Sequence, residues 1–567
     1  MKKFKAIGVA ILAVVMAAAL CACGGGGNEP APSGSGADAG EKSMTYTLIY
    51  GNNEGDEVAL VAQSLKDQWE EAFPGVTINL QPMTKAERLD KMQNDNYTIA
   101  LTRWGPDYAD PMTYLGMWTT GTANNYGFWS NADYDALIKS CSSGELAGDY
   151  DARWAALYDA EKLVMDDAVI APLYTKANAN LIADGVEGVE FHPVALNRVY
   201  KRATSATGTL NVMFATNVMS LDTNLATDGD SFEIIADCID GLTQMDADGA
   251  AVPAIAESWD ISDDQMTYTF HLRKDATWNN GTPVTANDFE FAWKLAMTAN
   301  VEYNYMFDST VGCVKNADAI LYDGGDVDTL GVKALDDYTL EVQLEAPVSF
   351  FPSLMYFPTF YPINQAFYES VGADNYGTSP ETFLSNGAFV LSEYTPGTAS
   401  PKVAKNPAYY DAASVQLQGI NYQVVDGSDN ALTAFKNATL DIAVVSGDQV
   451  KAVNDDATLS KNLKVTGAGY MWYVTFSQTV NADSNGDFAN KNLRLAFTNA
   501  IDREFVVDNY VMDGSLATFT CVPPQFAASA TTGEDFSADQ SKFADVCSYN
   551  LEAAQGFFET AASELGY

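Results

Sequence analysis

The side chain with most to offer chemically is Asp107, held between Pro106 and Tyr108 in the loop Arg103-Trp104-Gly105-Pro106-Asp107-Tyr108-Ala109-Asp110-Pro111. A lone carboxylate there reads either as a turn former bonded to its own backbone or as an acceptor for a ligand ammonium in a cleft. In the cleft, a charge-assisted bond gains strength as water leaves, and residue types alone leave both readings open. Only His192 and His271 are present, which excludes a histidine-rich metal site and argues against a Ser-His-Asp triad. There is no GxxxxGK[ST] phosphate loop and no serine elbow. A carboxylate pair for glycoside hydrolysis is not excluded by counting. Apart from Cys21 and Cys23, the cysteines are Cys141, Cys238, Cys313, Cys521 and Cys547, without CxxC spacing. Their odd number leaves at least one unpaired in a monomer, and Cys521 with Cys547 is a candidate disulfide.

Charge narrows the partners. Against 31 Lys plus Arg stand 75 Asp plus Glu, a formal −44, and removing Lys2, Lys3 and Lys5 takes this to 28 − 75 = −47. Such a field repels nucleic acid and anionic lipid headgroups, and it also serves simply as a solubilising surface.

The elements that must hold these residues begin after a leader. Lys2, Lys3 and Lys5, then an apolar run from Ala6 to Leu20, form a secretory signal too short to be a stable membrane span. Leu20-Cys21-Ala22-Cys23-Gly24 fits a bacterial lipobox with Cys23 as the lipidated residue. Gly24 to Lys42 is a flexible tether of small residues. From Thr45 the chain alternates as a strand to Tyr50. Val58, Val61, Leu65, Trp69 and Phe73 then recur at helical spacing, and a strand at 76–80, a helix at 86–93 and a strand at 97–101 follow. That βαβαβ order predicts an α/β lobe, with the Asp107 loop leaving the C-terminal end of a strand, where open α/β sheets place ligands. Helices are expected at 132–141 and 149–165, and, after Ala171-Pro172-Leu173-Tyr174, a strand around Leu181. The polar link Lys201 to Leu210 has apolar structure on both sides.

Beyond that link stand Ala256-Glu257-Ser258-Trp259, Thr267 to Trp278, and Asn280-Gly281-Thr282-Pro283-Val284 through Phe289. Further on come Leu330 to Val342, Tyr376-Gly377-Thr378-Ser379-Pro380, Ser385-Asn386-Gly387-Ala388-Phe389, Lys405-Asn406-Pro407 and Ala500-Ile501-Asp502-Arg503-Glu504. This ordered run resembles the oligopeptide-binding proteins of ABC importers, the family 5 extracellular solute-binding proteins. In that family such motifs lie in the N-terminal two thirds. Here residues 208–567 resemble the N-terminal part and 44–203 the remainder, so the resemblance implies a circular permutation. The new ends would fall in a loop between the helix 551–565, stopped at Gly566, and the strand from Thr45. The Asn280-Gly281 and Asn386-Gly387 pairs read as turns.

The resemblance implies an α/β, two-lobed periplasmic-binding-protein-like fold of class II type with an extra third domain, circularly permuted. The implied divisions are 1–22 signal peptide, 23–43 tether, 44–178 second lobe, 179–243 first lobe across the seam at 201–210, 244–362 extra domain, 363–470 first lobe continued and 471–567 second lobe. It implies a receptor that binds an extended oligopeptide between closing lobes and delivers it to an ABC permease with separate ATPase subunits. The receptor would be a monomer without cofactor or catalysis, held by lipid on the outer face of the cytoplasmic membrane. An oligosaccharide, haem or a nickel complex is the alternative ligand, and an extracellular hydrolase the alternative class. Matched to the family's peptide-gripping positions are Trp104 and Gly105 on one lobe and Thr227, Asp228 and Gly229 on the other, with Asp107 as the anchor for the α-ammonium. Where relatives that bind short peptides hold the ligand carboxylate with basic residues, this chain has Leu101, Met92 and Asp56. Arg103 is a candidate substitute, expected to pair with a neighbouring acid instead.

Overall fold

Alternation of Tyr46, Leu48 and Tyr50 with Thr45 and Thr47 gives Met44–Gly51 (β1) a buried face and makes it a strand. It leads into Asp56–Ala72 (α1), where Val58, Val61, Ala62, Leu65 and Trp69 form one buried stripe. Val76–Met83 (β2) follows, then Lys85–Gln93 (α2), opened by a capping box between Thr84 and Glu87, then Ile99–Trp104 (β3). β1 pairs in parallel with both β2 and β3, so β1 lies between them, as successive crossover helices require. Ala132–Ser142 (α3) and Tyr150–Asp166 (α4) start at side-chain caps from Asn131 and Asp149. The computed structural model describes residues 44–567 except 195, 247–248, 299–300 and 530. The signal, Cys21, Cys23 and the tether lie outside the described residues.

Two long strands, Ile170–Ile182 (β4) and Leu463–Phe476 (β6), run antiparallel through the molecule, with Thr209–Phe214 (β5) between them in sequence. The last six residues of β6 pair with β3, and through it with β1 and β2. The second half of β4 pairs instead with Ile442–Val445, which leads to β5 and the strands Gly419–Val424, Lys402–Lys405 and Phe389–Glu393. One continuous sheet therefore serves two lobes, and β4 and β6 connect them. Their ladder loses register between Gly467 and Met471 and again between Trp472 and Tyr473. Gly469 lies in the first break at φ 70°, and a Cβ there would sit 2.4 Å from the Pro193 carbonyl oxygen. A broken ladder with few shared hydrogen bonds is where lobe rotation is absorbed most cheaply. A separate four-stranded antiparallel sheet is built from Ala256–Ile261, Thr267–Leu272, Thr339–Gln343 and Val332–Asp336.

Three helices tie the lobes to their sheets: Gly229–Cys238 (α5), Lys491–Asn499 (α6) and Leu551–Leu565 (α7). Trp69 on α1 donates to the Phe497 carbonyl at 2.9 Å, fixing α6 over β1. α7 starts at the Asn550 cap and stops at Gly566, φ 76°, as the sequence predicts. The link from 201 is anchored as well: Lys201 Nζ donates to both Asp240 oxygens at 3.0 Å, while Arg198 (3.0 Å) and Tyr200 (2.6 Å) donate to Glu233 of α5.

Three expectations change. The strand expected around Leu181 begins already at Ile170 and takes in Ala171-Pro172-Leu173-Tyr174, one 13-residue strand, β4. Pro172 pairs at the Trp472/Tyr473 register shift, where its missing N–H leaves no gap in a regular ladder. Asn280-Gly281 is a tight turn, with Gly281 at φ 87° donating to the Trp278 carbonyl, but Asn386-Gly387 is not a hairpin turn. Asn386 is buried and accepts from the Asp240 amide, and a Cβ on Gly387 would lie 2.8 Å from the Cys238 backbone, so close packing requires glycine there. Cys521 and Cys547 form no disulfide; all five cysteines of the described residues are free and buried, and Cys521 Sγ accepts from Trp118 Nε1 at 3.3 Å instead.

Candidate functional site

The site is built where β3 ends. Buried Ile99 to Leu101 give way to half-buried Arg103 and Trp104, and the chain turns through Gly105 and Pro106 to Asp107. The loop is held from behind. Asp110 makes a two-armed ion pair with Arg153 of α4, both contacts 2.8 Å, Tyr108 stacks on Phe350 at 4.8 Å, and the Tyr114 hydroxyl donates to the Gly469 carbonyl in the hinge break. Gly105 lies against Tyr470 so closely that a Cβ would sit 2.2 Å from its ring. Rigid backing of this kind is what a ligand-contacting loop needs.

Asp107 faces a cavity of about 570 Å³ with Trp104, Gly105, Glu302, Tyr303, Tyr305 and Tyr470. Its Oδ2 accepts from the Tyr305 hydroxyl at 2.6 Å, and its amide donates to Thr113 Oγ1 at 3.4 Å. Burial pushes the Asp107 carboxyl up to about 6; the Tyr305 hydrogen bond opposes the rise and the nearby Glu302 charge adds to it. Among the described residues no cation is paired with it. Burial, then Asp107, Glu302, Tyr470 and Asp228, raise the Tyr303 hydroxyl, so this phenol lies in the field of all three carboxylates.

Asp228 caps α5 by accepting from the Ser231 amide at 2.9 Å. Gly229, the next residue, lines a second and wider cavity of about 960 Å³, shared with Glu57 and Tyr510 on one side and Asp429 and Asp448 on the other. The structure thus brings Trp104, Gly105 and Asp107 into one cavity and Gly229 into its neighbour. Thr227 is exposed and lines neither cavity, and Asp228 reaches Tyr303 through its charge. Phe232 of α5 packs edge-on against Tyr303 at 5.6 Å and joins the two halves.

Two arginines near the loop are already engaged, while Lys85 stands exposed at the cavity's edge. Arg88 Nη1 lies 2.8 Å from Glu54 and donates to the Leu101 carbonyl at 2.7 Å, with Arg88 and Glu54 side chains each 1% exposed. Arg103 Nε donates to the other Glu54 oxygen at 3.4 Å, and its guanidinium lies 4.8 Å from the Tyr470 ring centre. Arg103 therefore pairs with an acid, as expected. Leu101 and Met92 are fully buried, and the side chain of Asp56 lies outside the described residues. Sequence reasoning did not single out Tyr303, Tyr305 or Tyr470; the run Glu302-Tyr303-Asn304-Tyr305 repeats the acidic and aromatic mix of the Asp107 loop and was the available signal.

Comparison with known proteins places the chain. The family model described as bacterial extracellular solute-binding proteins, family 5, matches residues 31–126 and 250–566. The dipeptide-binding protein of Lactococcus lactis is 31% identical over 364 residues, covering 63% of this chain and 64% of that protein. The oligopeptide-binding protein OppA of Bacillus subtilis is 30% identical over 369 residues, 65% and 64% of the two chains. The match thus spans just under two thirds of the length of these relatives. The structure of Listeria monocytogenes OppA bound to peptide superposes with a TM-score of 0.51 at 32% identity, over 64% of this chain and 69% of that one. Together with the two-lobed α/β architecture, the family match over most of the residues shows that the chain belongs to the bacterial extracellular solute-binding proteins of family 5.

Proposed function

We propose that the protein is a receptor that captures oligopeptides in an extended conformation between its lobes and passes them to an ABC importer. The observation that carries this reading is Asp107: a carboxylate in a cleft, bonded to one tyrosine hydroxyl and paired with no cation of the described residues. A half-buried charge of that kind is balanced when a ligand supplies an ammonium. Trp104 and Gly105 at the end of β3, and Thr227 to Gly229 at the start of α5, offer main-chain groups on opposite sides for strand-like pairing, which grips any peptide by its backbone. Relatives named for dipeptide and oligopeptide binding support the ligand class. On this reading the protein binds rather than catalyses and acts as a monomer. It is anchored by lipid on Cys23 at the outer face of the cytoplasmic membrane, and a Cys23→Ser variant found still in the membrane fraction would contradict the anchor.

The reading includes the permuted order and the domain boundaries given above. Tyr46 and Tyr567 both donate to Asp487 Oδ2, at 2.8 and 2.7 Å, so residues 46 and 567 lie side by side, as rejoining them in the family order requires. The matched length in the curated relatives is close to the span 208–567, as expected if an alignment follows only one of two transposed pieces. The separate sheet between 256 and 343 supports an extra domain at 244–362. The test of function is native mass spectrometry of gently purified protein, denatured to release what it carries. A ladder of peptides is expected. Release of a sugar or haem instead would overturn the peptide assignment.

A further inference from the structure

The cavity of about 960 Å³ that Gly229 lines has two walls of different kind. One is largely apolar: exposed Leu60 of α1, with half-buried Tyr510 and Met512, opens onto the cavity. Its acid, Glu57, is engaged, since Lys176 lies 2.6 Å away. The facing wall carries Asp230 and Glu233 of α5, then Asp426, Asp429 and Asp448. Arg198 is the one cation lining the cavity among the described residues, and Glu233 holds it at 3.0 Å.

That leaves the carboxylates of Asp230, Asp426, Asp429 and Asp448 without an ion-pair partner among the described residues. The donors that do reach them are uncharged: the Thr216 amide and hydroxyl donate to Asp230 at 3.1 and 3.0 Å, and Gln449 Nε2 donates to Asp429. The simplest account of such acids is the helix dipole, because Asp230, Asp429 and Asp448 each stand in the first turn of a helix, α5, Ser428–Lys436 and Asp448–Asp455. A helix N-terminus carries about half a positive charge, so three of them offset about 1.5 of the four negative charges. A surplus of more than two negative charges still faces the cavity, opposite an apolar wall. An apolar surface facing carboxylates is the complement of one side-chain type, the aliphatic stem with a cationic head of lysine or arginine. A glutamate would meet like charge there, and an uncharged side chain would leave the surplus unserved.

We propose that this half of the cleft selects basic side chains, so that the ligand is an oligopeptide carrying lysine or arginine downstream of the amino end held at Asp107. The stem lies along Leu60 and Met512, the charged head reaches Asp429 and Asp448, and the Tyr510 ring adds a cation–π face. The inference rests on the peptide reading and names the class of peptide.

The test is calorimetric titration of the full-length protein with alanine pentapeptides that carry one lysine, norleucine or glutamate at positions two to five in turn. Norleucine keeps the stem and lacks the charge, so the lysine-to-norleucine ratio reads the acids alone. At one position or more, lysine should bind at least about threefold more tightly than norleucine, the scale of a solvent-exposed ion pair, and glutamate should bind more weakly than either. Raising the salt should shrink the lysine advantage. In a protein carrying both Asp429→Asn and Asp448→Asn, two exposed positions, the ratio should fall towards one; a ratio unchanged there would assign the preference to the overall charge of −44 and overturn the proposal. Peptides that bind with equal affinity whichever side chain they carry would overturn the proposal and leave the peptide reading standing. No binding by any pentapeptide would overturn both. The side-chain comparison in the unaltered protein needs no variant to fold.

Discussion

Replacing Asp107 by asparagine should make the ligand-free protein more stable at neutral pH. The carboxyl is raised to about 6 in the folded state, against about 4 for an ordinary aspartate. A raised carboxyl contributes stability that is fully present below about pH 4 and is lost as pH climbs through about 6. At about 1.4 kcal/mol for each tenfold change in the proton equilibrium, the loss above pH 7 is about 3 kcal/mol. Water in the open cleft screens part of it, which leaves about 1–3 kcal/mol. Asparagine is neutral at every pH and keeps an oxygen to accept from Tyr305, so Asp107→Asn recovers that amount. Thermal unfolding of ligand-free protein at pH 7.5 should show Tm higher by about 2–6 °C in the variant, using about 2 °C per kcal/mol for a large chain. At pH 4.5 the folded carboxyl is mostly protonated already, and the difference should shrink to about a third. An equal gain at both pH values, or a loss at pH 7.5, would refute the claim that Asp107 is held as a strained, unpaired charge.

Three further outcomes follow from packing and order. Gly105→Ala forces Tyr470 off the loop, because a Cβ would sit 2.2 Å from its ring; stability in urea should fall by about 1–3 kcal/mol, and ligand affinity with it. Glu54→Gln leaves buried Arg88 without its counter-charge, and the loss measured by urea unfolding should be about 3–5 kcal/mol. A rearranged gene that joins residue 567 to 44 through a short linker and opens the chain between 207 and 208 keeps every packing partner. Its Tm should stay within about 5 °C of the parent, since only loop closures change, and failure of the rearranged chain to fold would contradict the permutation.

Much of the second lobe was legible because its signals are local. The alternation in 44–51, the apolar stripe of α1 and the Gly566 stop of α7 each follow from backbone periodicity or a φ requirement. The Asp107 loop was visible as an aromatic and acidic segment after a strand. What escaped was set by distant contacts. Tyr305 reaches Asp107 across 198 residues, and no local pattern points one at the other. The strand around Leu181 extends back to Ile170 through Pro172, because a register shift in its partner strand accommodates the missing donor. Gly387 carries the same Asn-Gly signal as Gly281, but its reason is close approach to Cys238, which only the packed structure reveals. Cys521 with Cys547 is only a candidate disulfide in the sequence, and burial beside Trp118 accounts for Cys521 without a bond.

The most direct test of the central claim is calorimetric titration of one oligopeptide in two forms, with a free amino terminus and acetylated, into the parent protein and Asp107→Asn. A charge-assisted hydrogen bond contributes about 1.5–3 kcal/mol, so acetylation should cost the parent about 10- to 150-fold in Kd and should cost the variant little. Equal affinity of the two forms for the parent, or no binding of any peptide, would contradict an ammonium anchor at Asp107.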